Sequence, residues 1–548
     1  MEFSPAARLL LERRYLLPGE TPDALFARVA GAVGGPERSR EFFSLLSRLL
    51  FLPNSPTLMN AGTPAGQLSA CFVLPIEDTL EGIFTSLAHM ALIHRSGGGT
   101  GFSFSRLRPR GDAVNGVVGA ASGPVSFMRV FDAATGAVRQ GGRRRGANMG
   151  VLAASHPDIE EFVTAKRAGG LRNFNLSVGI DGRFLRCLAT GKDYDLTNPR
   201  DGSVSRSIDP ASLWRLIAAS AHASGEPGVL FLDEIDRQST TPHLGPIEAT
   251  NPCGEQPLYP YESCNLGSVN LARCIKNHDI DEDLLATVVR CGIDFLDAVI
   301  DANRFPLPVI REKTLATRKI GLGVMGFAET LIRLGIPYES DEALRFAGKL
   351  MEGIEVLARE RSEELGTAKG SFPAIEGSVY TNDMRNATVT TIAPTGSLHL
   401  IAGTTSGIEP VFSFAYSRVI DGQQVAIVSD LVRELLPATA GGMDVAEHVR
   451  RHGTVEGLPL ADHTRDLFRT AVDIAPEHHV RMQAAFQRHV DNAVSKTVNL
   501  KETATAGEIA RIFSLARDLG CKGITVYRYR SRPDQVLSRG CDVCIVDD

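Results

Sequence analysis

The chain has 548 residues, with 58 Lys plus Arg against 64 Asp plus Glu, a net charge of -6, 43% hydrophobic and 22% charged residues. That balance belongs to a globular protein and excludes disorder and collagen-like repetition. An acidic chain with 53 Gly and only 9 Cys also argues against a nucleic-acid coat and against a disulfide-stapled secreted scaffold.

Met1-Glu2-Phe3-Ser4-Pro5 has no basic segment leading into an apolar one. No stretch approaches the roughly 18 continuous apolar residues of a membrane span, so a cytoplasmic protein with no membrane partner is expected. Residues 5–50 carry Leu9, Leu10, Phe26, Val29, Phe42, Leu45, Leu46 and Leu49 at helical spacing, broken at Pro18-Gly19 and Gly34-Gly35-Pro36. This predicts a helical N-terminal segment, 1–50. Short apolar or β-branched runs then alternate with helical stretches, at 70–74, 101–104, 176–180, 229–232, 389–392 and 523–527. Strands separated by helices imply an α/β domain, 51–530, with much parallel pairing. Long helices are predicted at 211–224, 281–303, 341–365 and 506–519, while 420–465 is mixed and its strands are not placed. No repeat or low-complexity segment stands out. After Tyr527 the chain turns basic and loop-like, which predicts a flexible tail, 531–548, around Cys541 and Cys544.

Cys187, Cys274, Cys291 and Cys521 lie in or beside apparent helices and strands and read as small buried hydrophobes. The run Asn251-Pro252-Cys253-Gly254-Glu255-Gln256-Pro257 is different. In an extended segment, side chains at i, i+2 and i+4 share a face, so Asn251, Cys253 and Glu255 would project together. The plainer alternative is a turn with Asn251 in an Asx turn, Glu255 in solvent and Cys253 buried. Cys264 follows, after prolines at 257 and 260, and could return a second thiol to the first. A carboxylate can take a proton from a sugar hydroxyl, an amide can hold its neighbour, and thiols can supply hydrogen atoms or electrons.

With Cys71, the Asn251 to Glu255 cluster and Cys264, the chain resembles the ribonucleotide reductases. The runs Asn54-Ser55-Pro56-Thr57-Leu58-Met59-Asn60, Ala393-Pro394-Thr395-Gly396-Ser397 and Thr404-Thr405-Ser406-Gly407-Ile408-Glu409-Pro410 are most similar to the adenosylcobalamin-dependent class II enzymes. The resemblance implies a ten-stranded α/β barrel with the radical cysteine on a loop inside it, and reduction of ribonucleotides to 2'-deoxyribonucleotides. Cys253 would carry a thiyl radical, Glu255 would deprotonate the 3'-hydroxyl, and Asn251 would position it. Cys71 and Cys264 would reduce the substrate and finish as a disulfide. Burial is expected around the radical, because solvent would quench it.

The same resemblance assigns Ser55, Thr57, Ala70, Thr395, Gly396 and Ser397 to the substrate and its phosphates. Capping of a helix by Thr395 or Ser397 is the alternative at that run. Gly321-Leu322-Gly323-Val324-Met325-Gly326 matches G-x-G-x-x-G, but a charged stretch precedes it, and glycines permitting close helix packing are the preferred reading. Arg139-Gln140-Gly141-Gly142-Arg143-Arg144-Arg145-Gly146 could be a solvated or RNA-contacting loop, although the acidic chain and the lack of interleaved aromatics disfavour nucleic acid. It resembles the family's specificity loop, with Gln140 and Arg144 toward the substrate base. Asp78 and Arg108 match positions for the ribose and phosphate of a dNTP or ATP effector, with Ser96 to Gly101 shaping that region. Effectors bind this family at a subunit interface, so a homodimer is expected.

Valine stands at 526 where a class I enzyme has the first of two tyrosines, and the C-terminal region holds no glycyl-radical motif. Adenosylcobalamin is therefore the expected cofactor, although no D-x-H-x-x-G motif occurs and no protein ligand to a metal is predicted. No ATP-cone domain is expected at the N-terminus. Cys541-Asp542-Val543-Cys544 is half a zinc site at best, and better suits a redox shuttle between the Cys71–Cys264 disulfide and a thioredoxin-like reductant. The alternatives are the same reaction with a separate radical-generating subunit, or a non-catalytic nucleotide-binding regulator.

Overall fold

The structure, a computed structural model, describes residues 3–114, 116–140, 144–167, 169–420, 422–531 and 537–540. Nine strands build most of a closed barrel: β1 (Cys71–Leu74), β2 (Gly99–Ser103), β3 (Asn148–Ala153), β4 (Phe174–Ile180), β5 (Gly228–Phe231), β6 (Ser263–Asn270), β7 (Ile320–Met325), β8 (Thr497–Leu500) and β9 (Gly523–Arg528). Strands β1 to β5 pair in sequence, all parallel. β9 runs antiparallel to β5, and β8 parallel to β9. β6 is parallel to β7, while its first residues run antiparallel to β1.

The remaining gap, between β7 and β8, is closed by the extended segment 388–392. Thr390 bridges Leu322 of β7, and Ile392 bridges Val494 just before β8. The N–H of Leu322 donates to Val389 O (2.7 Å) and that of Ile392 to Ala493 O (3.1 Å). The ring thus has ten strand positions, in two oppositely directed parallel halves of five.

Alternation along the strands sorts side chains between two cores. Phe72 and Leu74 join Phe102, Phe174 and Val229 beneath the outer helices. Cys71, Val73, Met149, Val151, Leu230, Cys264 and Leu266 face inward and pack with Ala249 and Leu258. Parallel strands covered by helices bury both faces, so these strands carry few exposed residues.

The N-terminal segment forms helices Pro5–Leu10 and Pro22–Ser47. The second is two helices meeting at a kink at Gly35 (φ 57°, ψ -160°), the break expected at Gly34-Gly35-Pro36, with Pro36 just beyond it. Its Phe42 meets Phe295 edge to face at 5.0 Å, on helix Glu282–Ala302 against the second half-barrel. Burying each such ring stabilises the packing by roughly 1.5–3 kcal/mol.

Two expectations need correction. Gly321 and Gly323 do not serve helix packing: they lie in β7, where a Cβ at Gly323 would sit 2.1 Å from Thr391 O. The glycines let segment 388–392 approach. The region beyond 531 is not uniformly loop-like either. Leu537–Arg539 forms a strand antiparallel to Ala415–Ile420, whose other edge is taken by Gln423–Val428. An open strand edge is a template for such pairing. Cys541 and Cys544 lie outside the described residues. Among the described residues, no helix is long and apolar enough to cross a membrane.

Candidate functional site

The barrel is filled by a hairpin. Ala249–Thr250 pairs with Pro257–Leu258, and the residues between them form its tip. The first half-barrel admits it through glycine: a Cβ at Gly101 would lie 1.7 Å from Thr250 O, and one at Gly99 would lie 2.9 Å from Pro252 Cγ. The run from Ser96 to Gly101, expected to shape an effector region, thus also makes room at the barrel centre. Both halves then hold the tip. Asn175 Nδ2 donates to Pro252 O (2.8 Å) from β4. Thr391 Oγ1 (3.0 Å) and the Ala493 N–H (2.9 Å) donate to Glu255 O from the other side.

The tip is a turn, not the extended segment that alternation suggested. Gly254 has φ +82° and its N–H donates to Asn251 O. Asn251 and Glu255 converge because the chain folds back between them. The Asn251 Oδ1 accepts from the Gln256 N–H (2.9 Å), which orients the amide so that Nδ2 donates to Cys71 Sγ (3.1 Å). Cys71 Sγ in turn lies 4.0 Å from Glu255 Oε1. Glu255 is buried and Cys253 exposed, the reverse of the plainer turn reading and also of the dry setting expected for Cys253. Cys253 is exposed at the tip, yet its thiol is close enough to Cys71 to add to the upward push on that thiol.

Cys264 returns beside Cys71, on facing strands. The two are direct partners in the β1–β6 register, and neither is in a disulfide. Cα atoms in such a pair lie roughly 4.5–5.5 Å apart, inside the range a disulfide spans. Burial pushes both thiols well above their usual value, and for Cys71 the Glu255 carboxylate adds to it. Both are protonated thiols at neutral pH, suited to give hydrogen. Beneath Cys264, the buried ion pair Lys319–Glu262 (2.8 Å) acts on it with opposite signs.

At the run of residues 393–397, Thr395 takes a positive φ of 46° ahead of the short helix Leu398–Ala402. Its Oγ1 accepts from the Gly407 N–H (2.8 Å), and Ser397 makes no side-chain cap, so neither residue caps in the simple sense. Ser55 Oγ lies 2.8 Å from Tyr15 Oη. Thr57 is buried, with its hydroxyl donated to Leu68 O (2.9 Å). Ala70 N–H donates to Cys264 O (3.1 Å). Helix Pro5–Leu10 packs on Leu398–Ala402, and its continuation Leu11–Tyr15 on Ser55–Asn60, so one helical lead-in carries both runs.

Asp78 and Arg108 are joined to each other: Arg108 Nε donates to Asp78 Oδ2 (2.8 Å), and its backbone N–H to Oδ1 (3.1 Å). Gln140 pairs with Arg144 between two short antiparallel strands, and their side chains lie outside the described set. Of the four cysteines read as structural, Cys274, Cys291 and Cys521 are buried and Cys187 is half-buried. Asn175, Thr391, Gly99 and Gly101, which hold or admit the tip, escaped the sequence reading. The glycine spacing at 99 and 101 was the one signal available, since alternate glycines bare one face of a strand.

A closed ten-position barrel whose interior hairpin brings an amide and a carboxylate to a pair of facing thiols defines a protein class. The chain matches the family model described as ribonucleotide reductase, barrel domain, over residues 69–384 and 374–527. It matches the one described as ribonucleotide reductase, all-alpha domain, over residues 1–66. The chain belongs to the ribonucleotide reductase family. Among its relatives, a vitamin B12-dependent ribonucleoside-diphosphate reductase of Mycobacterium tuberculosis is 49% identical, over 98% of this chain and 81% of its own length. One of Thermoplasma acidophilum with the same name is 48% identical over 94% and 68%. A vitamin B12-dependent ribonucleotide reductase of Streptomyces clavuligerus is 31% identical over 90% and 60%.

Proposed function

We propose that this chain reduces ribonucleoside diphosphates to 2'-deoxyribonucleotides by thiyl-radical chemistry with adenosylcobalamin. The observation that carries this reading is the meeting of Asn251, Glu255, Cys71 and Cys264 inside the barrel. The diphosphate substrate and the cofactor rest on the names of the M. tuberculosis and T. acidophilum relatives. The exposed side of Cys253 suits the approach of a bulky cofactor, which a buried thiol would refuse. When bound, adenosylcobalamin supplies an unpaired electron through homolysis of its cobalt–carbon bond.

Cys253, as thiyl, takes the 3'-hydrogen of the ribose. Glu255 accepts the 3'-hydroxyl proton, and Asn251 holds the sugar hydroxyls from a fixed amide. Cys71, protonated because it is buried, gives its proton to the departing 2'-hydroxyl, which leaves as water. Cys71 and Cys264 together supply two electrons and close a disulfide. Cys253, now holding the hydrogen it took, returns it to C3' and is left again as the thiyl. Ser55, Thr57, Ala70, Thr395, Gly396 and Ser397 remain the proposed contacts to substrate and phosphates, and Gln140 and Arg144 those to the base.

A dNTP or ATP effector at Asp78 and Arg108 sets substrate choice in a homodimer. Leu80 and Phe84 on helix Leu80–Arg95, exposed by 62% and 50%, support that interface beside the effector residues. Cys541 and Cys544 pass electrons from a thioredoxin-like reductant.

The test is deoxynucleotide formation from the purified chain with a ribonucleoside diphosphate, adenosylcobalamin and a dithiol. Activity without a second protein is expected, and activity that demands a radical-generating subunit would overturn the cofactor assignment. Cys253→Ser should keep nucleotide binding and lose all turnover. Turnover retained by that variant would remove Cys253 as radical carrier.

A further inference from the structure

Arg418 lies in the strand Ala415–Ile420. One guanidinium nitrogen donates to Gly396 O (2.9 Å), so the side chain reaches the run of residues 393–397. That bond uses one of five donors. Among the described residues, no carboxylate stands within ion-pair distance of it, whereas Arg318 has Asp297 and Arg359 has Asp491. The charged and titratable groups close enough to act on it are Tyr416, Arg14 and Tyr15. Burial pulls its guanidinium below the usual value, and Arg14, a second cation, pulls in the same direction. A partly desolvated guanidinium is costly unless an anion or further acceptors meet its remaining donors.

We infer that Arg418 is a further binding residue for the phosphates of the nucleotide, using its free donors as a fork beyond Gly396. The inference rests on the proposed function, in which the run of residues 393–397 receives those phosphates. A hydroxyl and backbone N–H groups can cradle phosphate but carry no full charge. A guanidinium supplies one, with planar geometry matched to two phosphate oxygens. Bonded to Gly396 O, it is held in place before substrate arrives, which lowers the ordering cost of binding. Tyr15 ties this cation to the other proposed phosphate run, since its hydroxyl contacts Ser55. The ligand class is a nucleoside polyphosphate, a diphosphate by preference, and the charge acts on affinity because the phosphates are remote from the reacting C2' and C3'.

The experiment compares wild type, Arg418→Gln and Arg418→Lys in steady-state reduction of a ribonucleoside diphosphate, alongside direct binding of the same nucleotide and of inorganic pyrophosphate. For Arg418→Gln, KM and the dissociation constants for nucleotide and pyrophosphate should rise roughly tenfold or more, with kcat nearly unchanged and the difference shrinking in high salt. Arg418→Lys should recover part of the loss, as a point charge without the fork. An unchanged KM and unchanged pyrophosphate binding in Arg418→Gln would overturn the assignment, as would a fall in kcat alone. If Arg418→Gln folds poorly, the Arg418→Lys comparison still decides: affinity and salt dependence equal to wild type would exclude a fork to phosphate. Wild type that neither binds nor reduces a ribonucleotide would instead defeat the underlying reading and not this residue alone.

Discussion

The two half-barrels reach the same geometry by different means. From β1 to β5, neighbours follow in sequence, and regular parallel ladders lie over an aromatic core of Phe72, Phe102, Phe104, Phe131 and Phe174. The other half closes through the segment 388–392, which buried polar side chains hold in place. Asp491 Oδ2 accepts from the N–H groups of Val389 (2.8 Å) and Thr390 (3.3 Å), while its Oδ1 accepts from Arg359 (2.6 Å). Asn492 Nδ2 donates to Ile320 O and Thr390 O. Lys522 Nζ donates to Asp491 O and Asn492 O, each at 2.6 Å. The lesson is a division of labour. The first half is stabilised by apolar burial and receives the hairpin, and the second is closed by hydrogen bonds whose loss strands buried partners.

This difference can be broken at chosen points. Gly101→Ala should leave the first half folded but drive the hairpin away from β2, since Thr250 O occupies the place of a Cβ. A displacement of that size at the reacting groups predicts a loss of turnover of about a hundredfold or more. Circular dichroism and an activity assay check it, and full activity would show that the hairpin does not need this opening.

Asp491→Ala should act on stability. It strands two backbone N–H groups and leaves Arg359 with Glu355 (2.9 Å) alone, and a loss of about 3 kcal/mol is expected in urea unfolding. The equivalent removal of an apolar contact in the first half should instead scale with the cavity left.

Lys522 gives a pH signature confined to the second half. Burial pulls its pKa from 10.5 to about 7, so the folded chain binds this proton more weakly than the unfolded one. Between those two values the unfolded chain carries more protons, and stability contributed at this site rises with pH, being lowest below pH 7. The melting-temperature difference between wild type and Lys522→Met should therefore change across that window, in favour of wild type as pH rises. A difference independent of pH would mean that Lys522 keeps its charge. The smallest effect belongs to Cys187→Ser on the half-buried edge of helix Gly182–Thr190, where stability should stay within about 0.5 kcal/mol of wild type.

Legibility in the sequence follows the same division. The runs at 70–74, 176–180, 229–232 and 523–527 were visible because their outward residues are β-branched, aliphatic or aromatic. β6 was not, although all eight of its residues are buried. Its Ser263, Asn265, Gly267, Ser268 and Asn270 are polar or small, and no strand was placed there. β7 read as glycines for helix packing for a similar reason, because its inward positions must be small where Thr391 and Gln256 press against them. A barrel filled by its own hairpin needs little side-chain volume on its inner wall, so the usual apolar alternation fades where the site is built.

By itself the sequence determined which thiols, amide and carboxylate to look for, the helical lead-in and the α/β class, because residue chemistry and local periodicity are written along the chain. The tertiary structure decided how Asn251 and Glu255 converge on Cys71, which thiol faces which, and that Arg418 stands beside Gly396. Those depend on a turn, a strand register and a hairpin threaded through a ring, and contacts between residues so far apart in the chain leave no local signal.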